Sequence, residues 1–265
     1  MAGLSGKRRG LVYFFINSRI KLWQLYSILL LSALISSAEL GAQNLVFYGL
    51  QPNVSVSKVF SPKWESTVNG YSFMHPYGNR EYGVYYRPVD WQFYLQGGIS
   101  YVLNPFIKLE SGYVFQRTNS SGVEDDHQTE SRPWEGVFSE IPLSKKISLL
   151  QRFRVEERFL YNRKQETHAF SVRLRYRLGL KIKLNWKVGE RKPYYLNMYN
   201  EVFFVPYGPT TAFYNENRLY FGLGYTINSV CRFEAGYFMQ YLIRDVQQNF
   251  RILNMLQLSW IMVFK

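Results

Sequence analysis

From residue 43 onward the chain alternates apolar and polar residues with a period of two, with little of the spacing of an amphipathic helix. The longest such run covers 167–186. Its even positions are Phe170, Val172, Leu174, Tyr176, Leu178, Leu180, Ile182, Leu184 and Trp186; its odd positions include Ser171, Arg173, Arg175, Arg177, Gly179, Lys181, Lys183 and Asn185. Successive side chains of a strand point to opposite faces, so one face is wholly apolar and the other carries five cations. Strands of globular proteins usually run about 5–6 residues. A tilted strand crossing a bilayer needs about 9–11 in the hydrocarbon alone. The length of this run therefore points to a membrane barrel rather than to a soluble sandwich or a lipocalin-like secreted barrel.

Similar alternation occurs over 91–103, 107–116, 217–227 and 232–241, and less regular candidates cover about 44–60, 63–75, 132–143, 147–161, 193–205 and 250–264. Tight turns are expected at Asn104-Pro105, Pro142–Lys146 and Asn228–Val230, and longer polar loops near 76–89, 117–131, 206–212 and 244–250. Short turns at one end and longer loops at the other are the barrel pattern, with the short turns periplasmic. The segments number about eleven. Bacterial single-chain barrels normally have an even number. The expectation is therefore an all-β, antiparallel transmembrane barrel of twelve strands, with 44–60 split at Pro52-Asn53, or of ten if one weak segment is not a strand.

Residues 1–42 differ from the rest. A basic segment precedes the apolar run Leu25–Ser37, and small residues end at Ala42. Basic, apolar, then small is the order of a secretory signal peptide, and the apolar run is shorter than the roughly 20 residues of a membrane helix. Two regions are expected: a cleaved signal over 1–42 and a barrel over 43–265.

Composition sharpens this picture. Aromatic residues are 18 % of the chain, with 22 Tyr and 20 Phe. A barrel in lipid uses such residues on its outer face and as girdles at both interfaces. The net charge of +13 is compatible with nucleic acid, an acidic ligand or anionic lipid. Much of the excess lies on strand-like segments, which argues against a nucleic-acid partner. The single Cys231 excludes an intramolecular disulfide. His75, His127 and His168 have no paired-ligand spacing, so no metal site and no cofactor are expected.

The chain ends in an alternating strand in which Leu256, Leu258, Trp260, Met262 and Phe264 share one face, with Lys265 last. That ending is similar to the signal read by outer-membrane insertion machinery, the expected partner besides outer-membrane lipid. Five stretches carry a wider resemblance: QRFRVEERF at Gln151–Phe159, SVRLRYRL at Ser171–Leu178, YYLNMYNEVFF at Tyr194–Phe204, NENRLYFGLGY at Asn215–Tyr225 and RFEAGYFMQY at Arg232–Tyr241. In order and spacing they resemble the DUF2490 outer-membrane proteins of Bacteroidetes-type bacteria, over residues 131–264. The resemblance implies a barrel in the outer membrane of a Gram-negative bacterium. It implies no catalytic or binding residues, because the family has none established.

The polar faces hold the candidate chemistry. Arg152, Arg154, Glu156 and Arg158 share one strand face, Arg173, Arg175 and Arg177 the next, and Glu201, Glu216, Arg218, Arg232 and Glu234 follow on later strands. Facing side chains on adjacent strands lie about 4.5–5.5 Å apart, within reach of Arg–Glu pairing. These charges either fill a narrow lumen as a structural lattice, or form a basic constriction that selects anions. The alternative from another class is a membrane-embedded hydrolase acting on lipid or surface polysaccharide, with His168 near Glu166 and opposite Glu157, and Ser171 as a nucleophile candidate. Glu124, Asp125, Asp126 and Glu130 form an acidic loop without the spacing of a calcium loop, and are expected to be a solvated surface. Inward glycines beside outward tyrosines are expected at Gly112-Tyr113, Gly224-Tyr225 and Gly236-Tyr237.

Overall fold

The computed structural model describes residues 45–74, 79–81, 84–86, 90–119, 127–190, 193–209, 212–243 and 250–265. The expected signal peptide and the acids Glu124, Asp125 and Asp126 lie outside them. In chain order the strands are β1 (Leu45–Ser61), β2 (Trp64–Met74), β3 (Asn79–Glu81), β4 (Val84–Tyr86), β5 (Asp90–Asn104), β6 (Ile107–Asn119) and β7 (His127–Pro142). They continue with β8 (Ile147–Asn162), β9 (Thr167–Lys183), β10 (Tyr194–Tyr207), β11 (Tyr214–Thr226), β12 (Cys231–Ile243) and β13 (Phe250–Phe264). Strands β3 and β4 pair only with each other, while the remaining eleven form one closed barrel in which chain neighbours are sheet neighbours.

The expectation of twelve or ten strands is therefore corrected to eleven. Strand β1 is not split at Pro52: it runs through that residue, and its ladder to β2 passes from Leu50↔Met74 to Asn53↔Tyr71 without losing register. Proline lacks an N–H, and it sits where the pairing to β2 is interrupted. With an odd number of strands in an up-and-down order, the first and last run the same way. The barrel closes by parallel pairing, from Leu45↔Arg251 to Lys58↔Phe264. Consequently Leu45 begins at the loop end and Phe264 finishes at the turn end.

The facing residues trace the tilt. A path leaving β1 at Val59 and passing through Glu65, Ser100, Glu110, Gly136, Arg154, Arg175, Phe203, Glu216, Leu242 and Arg251 re-enters β1 at Leu45. One circuit thus drops nearly the length of the strand. Such a stagger demands strongly inclined strands and a wider interior than an eight-stranded barrel has.

Four connections at the turn end are closed by one device. Ser61 Oγ, Asn104 Oδ1, Ser144 Oγ and Asn228 Oδ1 each accept hydrogen bonds from the N–H groups two and three residues on, at 2.7–3.3 Å. Short polar side chains that bond their own backbone favour such turns. The fifth connection, 184–193, is longer because β9 stops at Lys183 rather than at Trp186. Trp186 is instead exposed and packs edge-on to Tyr194 at 5.8 Å.

The two faces of the wall have opposite chemistry. Phe221 and Leu256 on the outer face are each 52 % exposed, whereas inward Arg154 and Glu156 are 1 % and 0 % exposed. Aromatic pairs sit near the strand ends: Trp64–Tyr101, Tyr194–Tyr225 and Phe233–Trp260 toward the turns, and Phe159–Phe170, Phe204–Tyr214 and Tyr241–Phe250 toward the loops.

Candidate functional site

The period-two geometry points Arg152, Arg154, Glu156 and Arg158 of β8, Arg173, Arg175 and Arg177 of β9, Glu201 of β10, Arg218 of β11 and Glu234 of β12 into the lumen. Register then sets like charges against each other: Arg154 faces Arg175, and Arg152 faces Arg177. Directly opposed like charges are destabilising. Shared carboxylates offset them. Glu156 accepts Arg173 Nε at 2.8 Å and Arg175 Nη1 at 2.5 Å, with Arg154 Nη1 at 3.7 Å. Glu201 accepts from Arg177 at 2.7 Å, from Arg175 at 3.0 Å and from Arg152 at 3.2 Å.

Several bonds join strands that are not neighbours, so they are chords across the lumen. Arg154 of β8 donates to Gln96 Oε1 of β5 at 2.9 Å. Arg152 of β8 reaches Glu201 of β10, and Arg173 of β9 comes within 3.6 Å of Glu216 of β11. Glu216 also pairs with Arg218 and accepts from Gln240 at 2.6 Å. The Phe203 ring lies beneath three guanidinium groups, those of Arg173, Arg175 and Arg218, at 4.7–5.1 Å. On the other side of the lumen Phe47, Phe73, Tyr220, Phe238, Leu253 and Met255 form a buried apolar cluster.

Glu234 departs from the expected Arg–Glu pairing. It is held by neutral donors, Tyr195 Oη at 2.7 Å, Asn197 Nδ2 at 3.1 Å and Tyr220 Oη at 3.3 Å. Glu130 departs from its expected loop. It lies in β7, buried, where it accepts from Arg132 Nε at 2.7 Å and from Arg158 Nη2 at 2.9 Å. The alternation Glu130, Arg132, Trp134 was the available signal. Arg132 also donates to Gln116 of β6.

Inward glycines make room for these groups. A Cβ on Gly112 would stand 2.6 Å from the Trp134 ring, and one on Gly224 would stand 2.2 Å from the Tyr195 ring. Their neighbours Tyr113 and Tyr225 point outward, as does Tyr237 beside Gly236.

Toward the turn end the lumen opens into a cavity of about 320 Å³, bordered by Arg152, Arg154, Arg175 and Arg177 on one wall and by Asn53, Ser259 and other uncharged polar side chains on the opposite one, with Glu110 and Glu234 also in its lining. Side-chain exposure rises from 4 % at Arg175 to 26 % at Arg177, and from 1 % at Arg154 to 18 % at Arg152. The cavity is therefore approached from the turn end.

The hydrolase candidates are not brought together. His168 faces Tyr161, not Glu157, whose partner across the ladder is Val172. His168 points outward, with its ring 4.8 Å from that of Tyr161, while Ser171 has the opposite parity and is buried in the lumen. The barrel wall separates them. Among the described residues no group of His, Cys, Asp or Glu side chains has the arrangement of a metal site.

A closed, mostly antiparallel barrel with an ion-paired interior and an apolar exterior defines the class of this protein. The chain belongs to the DUF2490 family, described as a protein of unknown function, whose pattern matches residues 53–251. A search of curated proteins finds no match to the chain.

Proposed function

We propose that the chain is an integral outer-membrane barrel whose Arg/Glu lattice holds the lumen closed toward the loop end, so that it serves as a structural wall element rather than a free-diffusion pore. The observation that carries this reading is the set of chords, above all Arg154 to Gln96, with Arg152 to Glu201 and Arg173 to Glu216 beside it. They cross the interior where a conduit would have to run. Placement in lipid is supported by the exposed apolar outer face and by the aromatic pairs near both rims. The outward face Leu256, Leu258, Trp260, Met262 and Phe264 suits recognition of the last strand by barrel-insertion machinery. The short turns then face the periplasm.

A narrow anion-selective path is the second reading, favoured by the partly exposed Arg152 and Arg177. Planar-bilayer recording separates the two. The wild-type barrel is expected to show no steady open-channel current at any moderate voltage. A steady current whose anion preference falls when Arg173, Arg175 and Arg177 are changed to Gln would replace the closed wall by the selective pore.

A further inference from the structure

Buried polar atoms in folded proteins are nearly always hydrogen-bonded, and each one left without a partner is costly. Around the turn-end cavity several such atoms have no protein partner. The donors are Arg152 Nε, Arg154 Nε, Arg177 Nε and Trp134 Nε1; the acceptors are Gln51 Oε1 and Asn197 Oδ1. Arg154, Trp134 and Gln51 are 1 %, 4 % and 4 % exposed, so these are built-in features of the interior and not surface side chains.

We propose that this cavity is a binding site for a small hydroxylated organic anion, a sugar acid by chemical class. Charge comes first. Arg152, Arg175 and Arg177 converge on Glu201, Arg175 also binding Glu156, and five arginines line the cavity against the two carboxylates of Glu110 and Glu234; each guanidinium has five N–H donors, so the basic wall retains unspent donors. The guanidinium planes are held in place, Arg154 over the Trp134 ring at 3.7 Å and Arg177 over the Tyr199 ring at 4.0 Å. Such a pre-set fork suits a carboxylate bidentately.

The hydroxyl requirement comes from the remaining lining. Opposite the arginines stand Asn53, Asn69 and Ser259, already linked to one another at 3.1–3.2 Å, with the unpaired acceptors of Gln51 and Asn197 just beneath that lining. Hydrogen phosphate offers only one or two O–H donors on one compact centre, whereas a polyhydroxylated acid spreads donors and acceptors around a ring wide enough to meet both walls. Size agrees: about 320 Å³ is far larger than the share of one water in the liquid, about 30 Å³. The cavity is also open to arrivals from the turn end, where exposure of the arginines increases. The inference does not depend on whether the lumen conducts.

The test is titration calorimetry on the detergent-purified barrel with three probes: D-glucuronate, D-glucose and inorganic phosphate. Glucuronate is expected to bind saturably, and glucose and phosphate at least tenfold more weakly. Arg152→Gln and Trp134→Phe should each weaken glucuronate at least tenfold, the second while keeping the ring beneath Arg154. Lys58→Gln on the outer face should leave binding unchanged. Heat-dependent gel mobility confirms that each variant is folded. Three outcomes overturn the proposal: no saturable heat with glucuronate, equal binding of glucose or phosphate, or wild-type affinity in both cavity variants. A barrel that stays silent in bilayers yet binds nothing would sink this site while leaving the closed-wall reading intact.

Discussion

Glu156 illustrates how single residues carry this interior. Its carboxylate is fully buried and lies among Arg173, Arg175 and Arg154. Buried ion pairs add little net stability over apolar packing, but removing one partner strands the other charges and costs about 3–5 kcal/mol. Glu156→Gln is therefore expected to lower barrel stability by roughly that amount, read as a reduced urea midpoint in refolding from lipid vesicles. A midpoint equal to wild type would show that the lattice is not stabilising. On the outer face Glu135 lies halfway along β7 in a groove with Leu109, Val137, Phe153 and Val155. In the lipid placement proposed above this carboxylate faces hydrocarbon, which is costly, so Glu135→Leu is expected to raise stability in vesicles by roughly 1 kcal/mol. A loss instead would indicate that the outer wall meets something other than lipid. That the twelve candidate charges lie on the polar faces of their strands was legible from alternation alone. Glu130 reads as part of the loop, because an acidic run masks the alternation it shares with Arg132 and Trp134 until a partner strand is in place.

At the scale of elements, every strand-like segment of the sequence corresponds to a barrel strand, and the raw count of eleven stood in the pattern. The even-number regularity of bacterial barrels argued it up to twelve. What decides the matter is the pairing of the two end strands, which no local signal encodes. Parallel pairs are slightly weaker per residue than antiparallel ones, but the closing ladder is long enough to satisfy both edges. The register makes this testable. In a chain with Cys231→Ser, the pair Ser57→Cys and Val263→Cys faces across the closing ladder and is expected to form a disulfide under mild oxidation. Ser57→Cys with Arg251→Cys, whose partner is Leu45, should stay reduced. The reverse result would mean an antiparallel closure and a different strand count. The turns were the most readable elements, because Asn104, Ser144 and Asn228 bond backbone groups two and three residues away and need nothing distant.

For the whole molecule, the chords and the apolar cluster divide the interior into a filled section toward the loops and a polar cavity toward the turns. The bilayer recording described above belongs to this scale, since a closed lumen is a property of all the strands together. So does the sugar-acid titration, because the cavity draws its donors from β7, β8 and β9 and its acceptors from β1 and β10. Neither the chords nor the cavity can be inferred strand by strand. Both depend on the barrel's width, which follows from strand number and stagger jointly.

The amino-acid order alone determined which residues form strands, which side of each is apolar and which is ionic, and where the chain turns. These are properties of period two and of side chains reaching their own backbone, and they act over a few residues. Only the tertiary structure decided the parallel closure, the meeting of Arg154 with Gln96, the neutral partners of Glu234 and the separation of His168 from Ser171. Those depend on how far apart opposite walls stand and on the register carried around the ring, quantities that exist only once the sheet has closed.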